Sequence, residues 1–261
     1  MRELNLSVPT PAGPMPAFAA MPRQGSRLPG VLVCMDVFGP REELYDIARR
    51  YATCGYLAVL PDLFHRLGSP RFEPADRKGD PVPPAAHTAN DATTLEMSAQ
   101  DALAVFRHGE GGGFGVQVGV WGVVGYCMGG RHAIAAAVHH PRYVRAALSV
   151  HGGRMVAPAG AAGESPHRLL RRCRVPLYIG CARDDPTCPP EHQALLEEEA
   201  RGNAALVTVE RVDALHGWSF PQRWCFDRDA ANHVWDTSLS MFRSALWTPH
   251  EPLSRGVEET C

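Results

Sequence analysis

The sequence predicts an α/β protein with a mostly parallel sheet flanked by helices on both faces. Three observations predict it. Short apolar runs recur at Val31 to Met35, Tyr56 to Leu60, Val118 to Val124, Ala146 to Val150, Val175 to Gly180 and Leu206 to Val212. Most are continuous rather than alternating, which is how strands covered on both faces read. Between them lie segments with apolar residues at helical spacing, so strand and helix alternate. The 261 residues are enough for one domain with a large core, expected over residues 1–247.

Residues 2–22 read as a β-hairpin turning at Pro11-Ala12-Gly13-Pro14. In Arg41 to Cys54, Leu44, Ile47, Ala48 and Tyr51 share one helical face, and Gly55 ends the helix. Pro61 stops the next strand. Residues 66–90 are rich in Pro, Gly, Arg and Asp and lack periodicity, so a long surface loop is expected, a candidate substrate cap. Helices are expected over Asp91 to Arg107, Arg131 to His140, Pro190 to Arg201 and Asp229 to Leu246. Residues 248–261 are polar and read as a flexible tail.

Charge and cysteine usage exclude several function classes. With 26 basic and 28 acidic residues the net charge is −2, which gives no footprint for nucleic acid. No apolar run reaches the roughly 18 residues of a membrane span, so no membrane partner is expected. Met1 to Asn5 lacks the apolar core of a signal peptide. Eight cysteines stand at 34, 54, 127, 173, 181, 188, 225 and 261 with no CxxC pair, which argues against a zinc ribbon or a disulfide framework. The expectation is a reduced, cytoplasmic protein. Scattered histidines form no ligand constellation, so neither a metal nor a cofactor is expected.

The chemistry centres on Gly125-Tyr126-Cys127-Met128-Gly129-Gly130, between an apolar strand and an alanine-rich helix. Strand, sharp turn and helix with a cysteine at the apex is the pattern of a nucleophile elbow. The turn is strained, so positions two before and two or three after the apex must be small. A cysteine at a helix N-terminus is biased toward the thiolate, and neighbouring N–H groups can stabilise an oxyanion. Partners follow in the order nucleophile, acid, histidine: Asp184-Asp185 after one strand, His216 after the next. Either aspartate could orient the histidine. Tyr126 beside the apex, and Trp218 and Phe220 after the histidine, are expected to line a substrate pocket.

Gly-Tyr-Cys-Met-Gly-Gly resembles the Gly-Tyr-Cys-Leu-Gly-Gly of dienelactone hydrolases. The resemblance extends to Val37-Phe38-Gly39, to Gly55 through Leu63, to Asp185-Pro186-Thr187-Cys188-Pro189, to Leu215-His216-Gly217-Trp218 and to the last helix, over about residues 27–247. It implies an α/β-hydrolase fold and cleavage of a small-molecule ester or lactone by a Cys127–Asp185–His216 triad. Asp185 is favoured over Asp184 because Pro189 then completes the family's Asp-x-x-x-Pro. The backbone N–H groups of Val37 and Met128 are implied as the oxyanion hole. Asp36 stands where the family has a thiol-controlling glutamate, one methylene shorter. Phe220 stands where dienelactone-cleaving members have a carboxylate-binding arginine; Arg71, Arg77 and Arg223 are nearby alternatives. An acyl transferase or thioesterase on the same scaffold, or a thiol redox sensor, are the rival readings. The sequence assigns no oligomeric state.

Overall fold

We describe residues 1–74, 77–158, 160 and 163–247 in a computed structural model of the chain. The expected tail over 248–261 lies outside the described residues. The sheet has eight strands: β1 (Arg2–Thr10), β2 (Gly13–Met21), β3 (Gly30–Cys34), β4 (Leu57–Pro61), β5 (Trp121–Tyr126), β6 (Val144–Val150), β7 (Leu177–Ala182) and β8 (Val207–Val212). Their spatial order is β1-β2-β4-β3-β5-β6-β7-β8. The N-terminal hairpin runs antiparallel at one edge, β2 joining β4, and the other six strands are parallel. All residues of β3, β4, β5 and β7 are buried, which is why they read as unbroken apolar runs.

Among the described residues, seven helices cover the sheet: α1 (Glu42–Thr53), α2 (Pro84–Ala92), α3 (Leu95–Glu110), α4 (Met128–His139), α5 (Pro166–Leu169), α6 (Pro190–Arg201) and α7 (Arg228–Leu246). α1 and α7 share a face: Tyr51 hydrogen-bonds Ser238 at 3.0 Å and packs on Trp235 and Phe242. α3 and α4 pack together through Ser98–His132 and His140–Ala99 contacts, both at 2.7 Å. Right-handed crossovers place helices from opposite directions of winding on opposite faces. The chain winds from β3 outward to β4, then returns to place β5 on the other side of β3. The carboxyl ends of β3 and β5 therefore flank the switch point, where ligands collect in open α/β sheets.

Residues 66–90 depart from the expected irregular loop. A 3-10 turn covers His65–Leu67, and the last part is the helix α2. Pro84 sits in its first turn, where a missing N–H costs nothing, and alanines follow. The helix expected from Asp91 is likewise divided. Thr93 ends α2 in extended backbone, and Thr94 caps α3 by accepting from Met97 N–H at 3.2 Å.

Candidate active site

Cys127 is the hinge between β5 and α4, with φ 52° and ψ −116°. This left-handed backbone is costly for a side chain, and the packing around it enforces it. Main chain approaches too closely on three sides for anything but glycine. A Cβ on Gly125 would lie 2.0 Å from Gly129 O, one on Gly129 2.2 Å from Cys34 O, and one on Gly130 2.8 Å from Gly152 Cα. The expected need for small residues around the apex is thus a matter of space. The Gly129 contact also presses the end of β3 onto the first turn of α4. That brings the Val37 segment beside the elbow. Met128 N–H is the first of the α4 donors that geometry leaves without an intrahelical acceptor. Val37 N–H finds no acceptor among the described residues.

His216 and Asp185 come from the loops after β8 and β7. Asp185 Oδ2 accepts from His216 Nδ1 at 2.6 Å. Its other oxygen accepts from Thr187 N–H at 2.8 Å and from Thr187 Oγ1 at 2.7 Å, which fixes the carboxylate plane. Burial opposes ionisation of Asp185, but these donors and the imidazole outweigh it, and its carboxyl is held below the usual range. Asp184 is different: 79% exposed, at φ 50°, and facing Arg183. The structure therefore brings Asp185, and not Asp184, to the histidine. Burial also opposes a charged His216. The Cys127 sulfur and Asp185 outweigh it by charge and hydrogen bonding, so the imidazole is held well above its ordinary value.

Asp36 is not brought onto the thiol. Arg41 grips it with two nitrogens, at 2.6 and 2.8 Å, Arg223 Nη2 reaches it at 3.2 Å, and Phe38 N–H donates to it at 3.0 Å. Glu43 completes the cluster beside Arg41 and Arg223 at 2.6 and 3.7 Å. Two buried carboxylates thus balance two nearly buried guanidiniums. A carboxylate held by this many donors has no acceptor capacity left over for a thiol proton.

Residues 15–246 match the dienelactone hydrolase family. The chain belongs to that family. Among curated proteins it is 27% identical over 239 residues to "Putative carboxymethylenebutenolidase" of Escherichia coli K12, covering 91% of this chain and 85% of that one. The corresponding Yersinia pestis protein is 26% identical over 251 residues, covering 94% of this chain and 91% of that one. Among solved structures, "Putative Dienelactone Hydrolase" of Klebsiella pneumoniae superposes with a TM-score of 0.81 at 22% identity, covering 92% and 98% of the two chains. This is an α/β-hydrolase fold, and the chain is a dienelactone hydrolase-like hydrolase. Among the described residues, no helix is long and apolar enough to cross a membrane.

The aromatic residues expected to line the pocket form a packed layer rather than an open wall. Tyr126, Trp218 and Phe220 are 5%, 0% and 1% exposed. Trp218 and Phe220 pack on the His151 ring at 4.9 and 5.6 Å, and Tyr126 lies against both His151 and Phe220. The guanidiniums of Arg41 and Arg223 stand over the Phe220 ring at 5.2 and 5.4 Å. Of the alternative arginines, Arg71 pairs with Asp62 at 2.9 Å, and only Arg223 joins the Asp36 cluster. Arg41, the first residue of the helix expected over Arg41 to Cys54, gives no sign in the sequence of this pairing.

Proposed function

We propose that this protein cleaves a small-molecule ester or lactone through Cys127, with His216 and Asp185 as its partners and without a metal or cofactor. One observation carries the reading: Asp185 bonds an imidazole on one nitrogen, and that imidazole lies beside the strained, glycine-walled elbow whose apex is Cys127. The upward shift of His216 favours a starting state in which the ring carries the proton before substrate arrives. The sulfur attacks the acyl carbon and the carbonyl electrons move to oxygen. The N–H groups of Met128 and Val37 supply the oxyanion hole in this scheme. Collapse expels the alkoxide, which takes its proton from His216. The neutral imidazole then deprotonates a water that attacks the thioester. Collapse releases the acid, and the proton on His216 restores the starting pair. For a lactone, acid and alcohol are one molecule.

Substrate choice follows from charge. Asp36 and Glu43 already neutralise Arg41 and Arg223, and Phe220 is buried beneath them. An anionic substrate would have to compete for those guanidiniums, so neutral or weakly polar esters are favoured. The net charge of −2 supports no nucleic-acid partner. Seven cysteines are free among the described residues, in keeping with the cytoplasm. Rapid-quench mass spectrometry with a neutral aryl ester tests the proposal. An acyl adduct is expected on the peptide holding Cys127, and Cys127→Ala should lose both adduct and turnover. Turnover persisting in that variant would overturn it.

A further inference from the structure

His151 has no part in the scheme above, yet it is completely buried at its centre. It directly follows β6 with φ 39°, a left-handed conformation uncommon for a side chain of this size. Cys127 N–H donates to His151 Nδ1 at 3.2 Å, sharing itself with Val150 O at 3.1 Å. Two residues on, Gly153 N–H donates to Cys127 O at 3.0 Å. The segment 151–153 therefore holds both main-chain polar groups of the nucleophile. Across the ring, His151 Nε2 lies 2.7 Å from Ser219 Oγ, three residues past His216 on the same loop. The two imidazole centroids are 5.1 Å apart.

These contacts fix the tautomer. Nδ1 accepts, so the single proton of the neutral ring sits on Nε2 and is donated to Ser219. Burial, and then the positive charge of His216, hold His151 well below its ordinary value, in keeping with that form. Ser219 keeps its own proton for the far side. There it lines a cavity of about 40 Å³ shared with Tyr51, Tyr126 and Ser238, roomy enough for water.

We propose that His151 is a positioning residue whose neutral ring ties the Cys127 elbow to the loop carrying His216, setting the approach of sulfur to imidazole. It touches the backbone of the nucleophile and not the reacting atoms, and it acts through their alignment. The proposal rests on the reading of Cys127 and His216 as the reacting pair. A displacement of about 1 Å in such a pair can cost about a hundredfold in rate, so a linker of this kind shows in kcat rather than in binding.

A double-mutant cycle on hydrolysis of p-nitrophenyl acetate tests it. His151→Phe keeps the ring against Trp218 and Phe220 but removes both nitrogens. Ser219→Ala removes one end of the link without altering the strained residue. Each is expected to lower kcat about tenfold or more with KM within about twofold, and the double variant to be no worse than His151→Phe alone. His151→Asn, tolerated at positive φ, places an amide oxygen near the Nδ1 position and should behave like Ser219→Ala. Unchanged kcat in Ser219→Ala, or losses that multiply in the double variant, would overturn the proposal, even if His151→Phe fails to fold. Cys127→Ala run alongside separates the two readings. An active Cys127→Ala sinks the cysteine mechanism, whereas an inactive one beside a fully active His151→Phe sinks only the role of His151.

Discussion

Replacing Asp185 by asparagine should cripple the enzyme by turning one hydrogen bond around. Asp185 Oδ1 receives two donors from Thr187, at 2.8 and 2.7 Å, while Oδ2 receives His216 Nδ1 at 2.6 Å. An asparagine must leave its carbonyl oxygen on the Thr187 donors, because an amide NH2 cannot accept. The NH2 then faces Nδ1, which must become the acceptor, and a neutral ring carries its proton on Nε2. The imidazole also loses a negative charge that helps hold it protonated. In serine triads the same change costs about 10⁴ in kcat. We expect about 10³- to 10⁴-fold here, or about 4–5.5 kcal/mol at 1.36 kcal/mol per tenfold. Asp184→Asn should change kcat by less than about threefold, because that side chain is exposed and its φ of 50° suits asparagine. The assay is kcat at saturating neutral aryl ester, with melting temperatures of both variants to exclude unfolding. A loss under about tenfold for Asp185→Asn, or a larger loss for Asp184→Asn, would refute the reasoning.

Further outcomes are expected. In NMR titration His216 should stay protonated past its ordinary value of about 6.5, and Cys127→Ala should lower its midpoint. Because the folded value is raised, the stability it contributes is complete below about pH 6.5 and lost as pH rises through the folded value, which urea titrations across that range would detect. Brief sub-stoichiometric alkylation followed by peptide mass spectrometry should label Cys127 first among the eight cysteines. Burial pushes the thiol of Cys34 up to about 12 and also raises Cys173 and Cys225. Asp36→Asn should free guanidinium charge and raise kcat/KM for carboxylate-bearing esters relative to neutral ones by about tenfold, whereas Phe220→Ala should cost about 3–5 kcal/mol of stability by urea denaturation.

Much of the fold was legible because buried parallel strands leave continuous apolar runs, and because the elbow needs glycine at fixed offsets. The runs at Val31, Tyr56 and Val118 each coincide with a strand to within about three residues, the usual uncertainty of an element boundary. Cys127, Asp185 and His216 stood out because each follows a strand in the required order. The Asp36 cluster was not legible, because Arg223 reaches it from 187 residues away and such pairing leaves no local pattern. Its neighbour Phe220 looked like a pocket wall for the same reason: nothing nearby in sequence announces two guanidiniums above it. His151 directly follows the apolar run Ala146 to Val150, but its bond to Ser219 spans 68 residues and leaves no local pattern. The helix α2 could have been found, since Pro83-Pro84 followed by alanines is a helix start; the surrounding Pro and Gly content masked it.

Among the described residues, four of the five non-glycine residues with positive φ, Cys127, His151, Arg154 and Asp184, lie along one rim, where β5, β6 and β7 end. Each such conformation costs on the order of 1–3 kcal/mol, and the buried strands below must hold it in place. The rim is consequently the first part of the molecule to relax under denaturant, so hydrolysis and Cys127 alkylation should fade before the far-ultraviolet signal of the sheet does. Thermostabilising this enzyme is then a choice among strained positions. Asp184→Gly relieves an exposed one that serves no reacting atom and should raise the melting temperature with activity intact. On the proposed mechanism, relief at Cys127 or His151 would give the same gain in durability by dismantling the catalyst, the trade that limits how rugged the protein can become while still turning over.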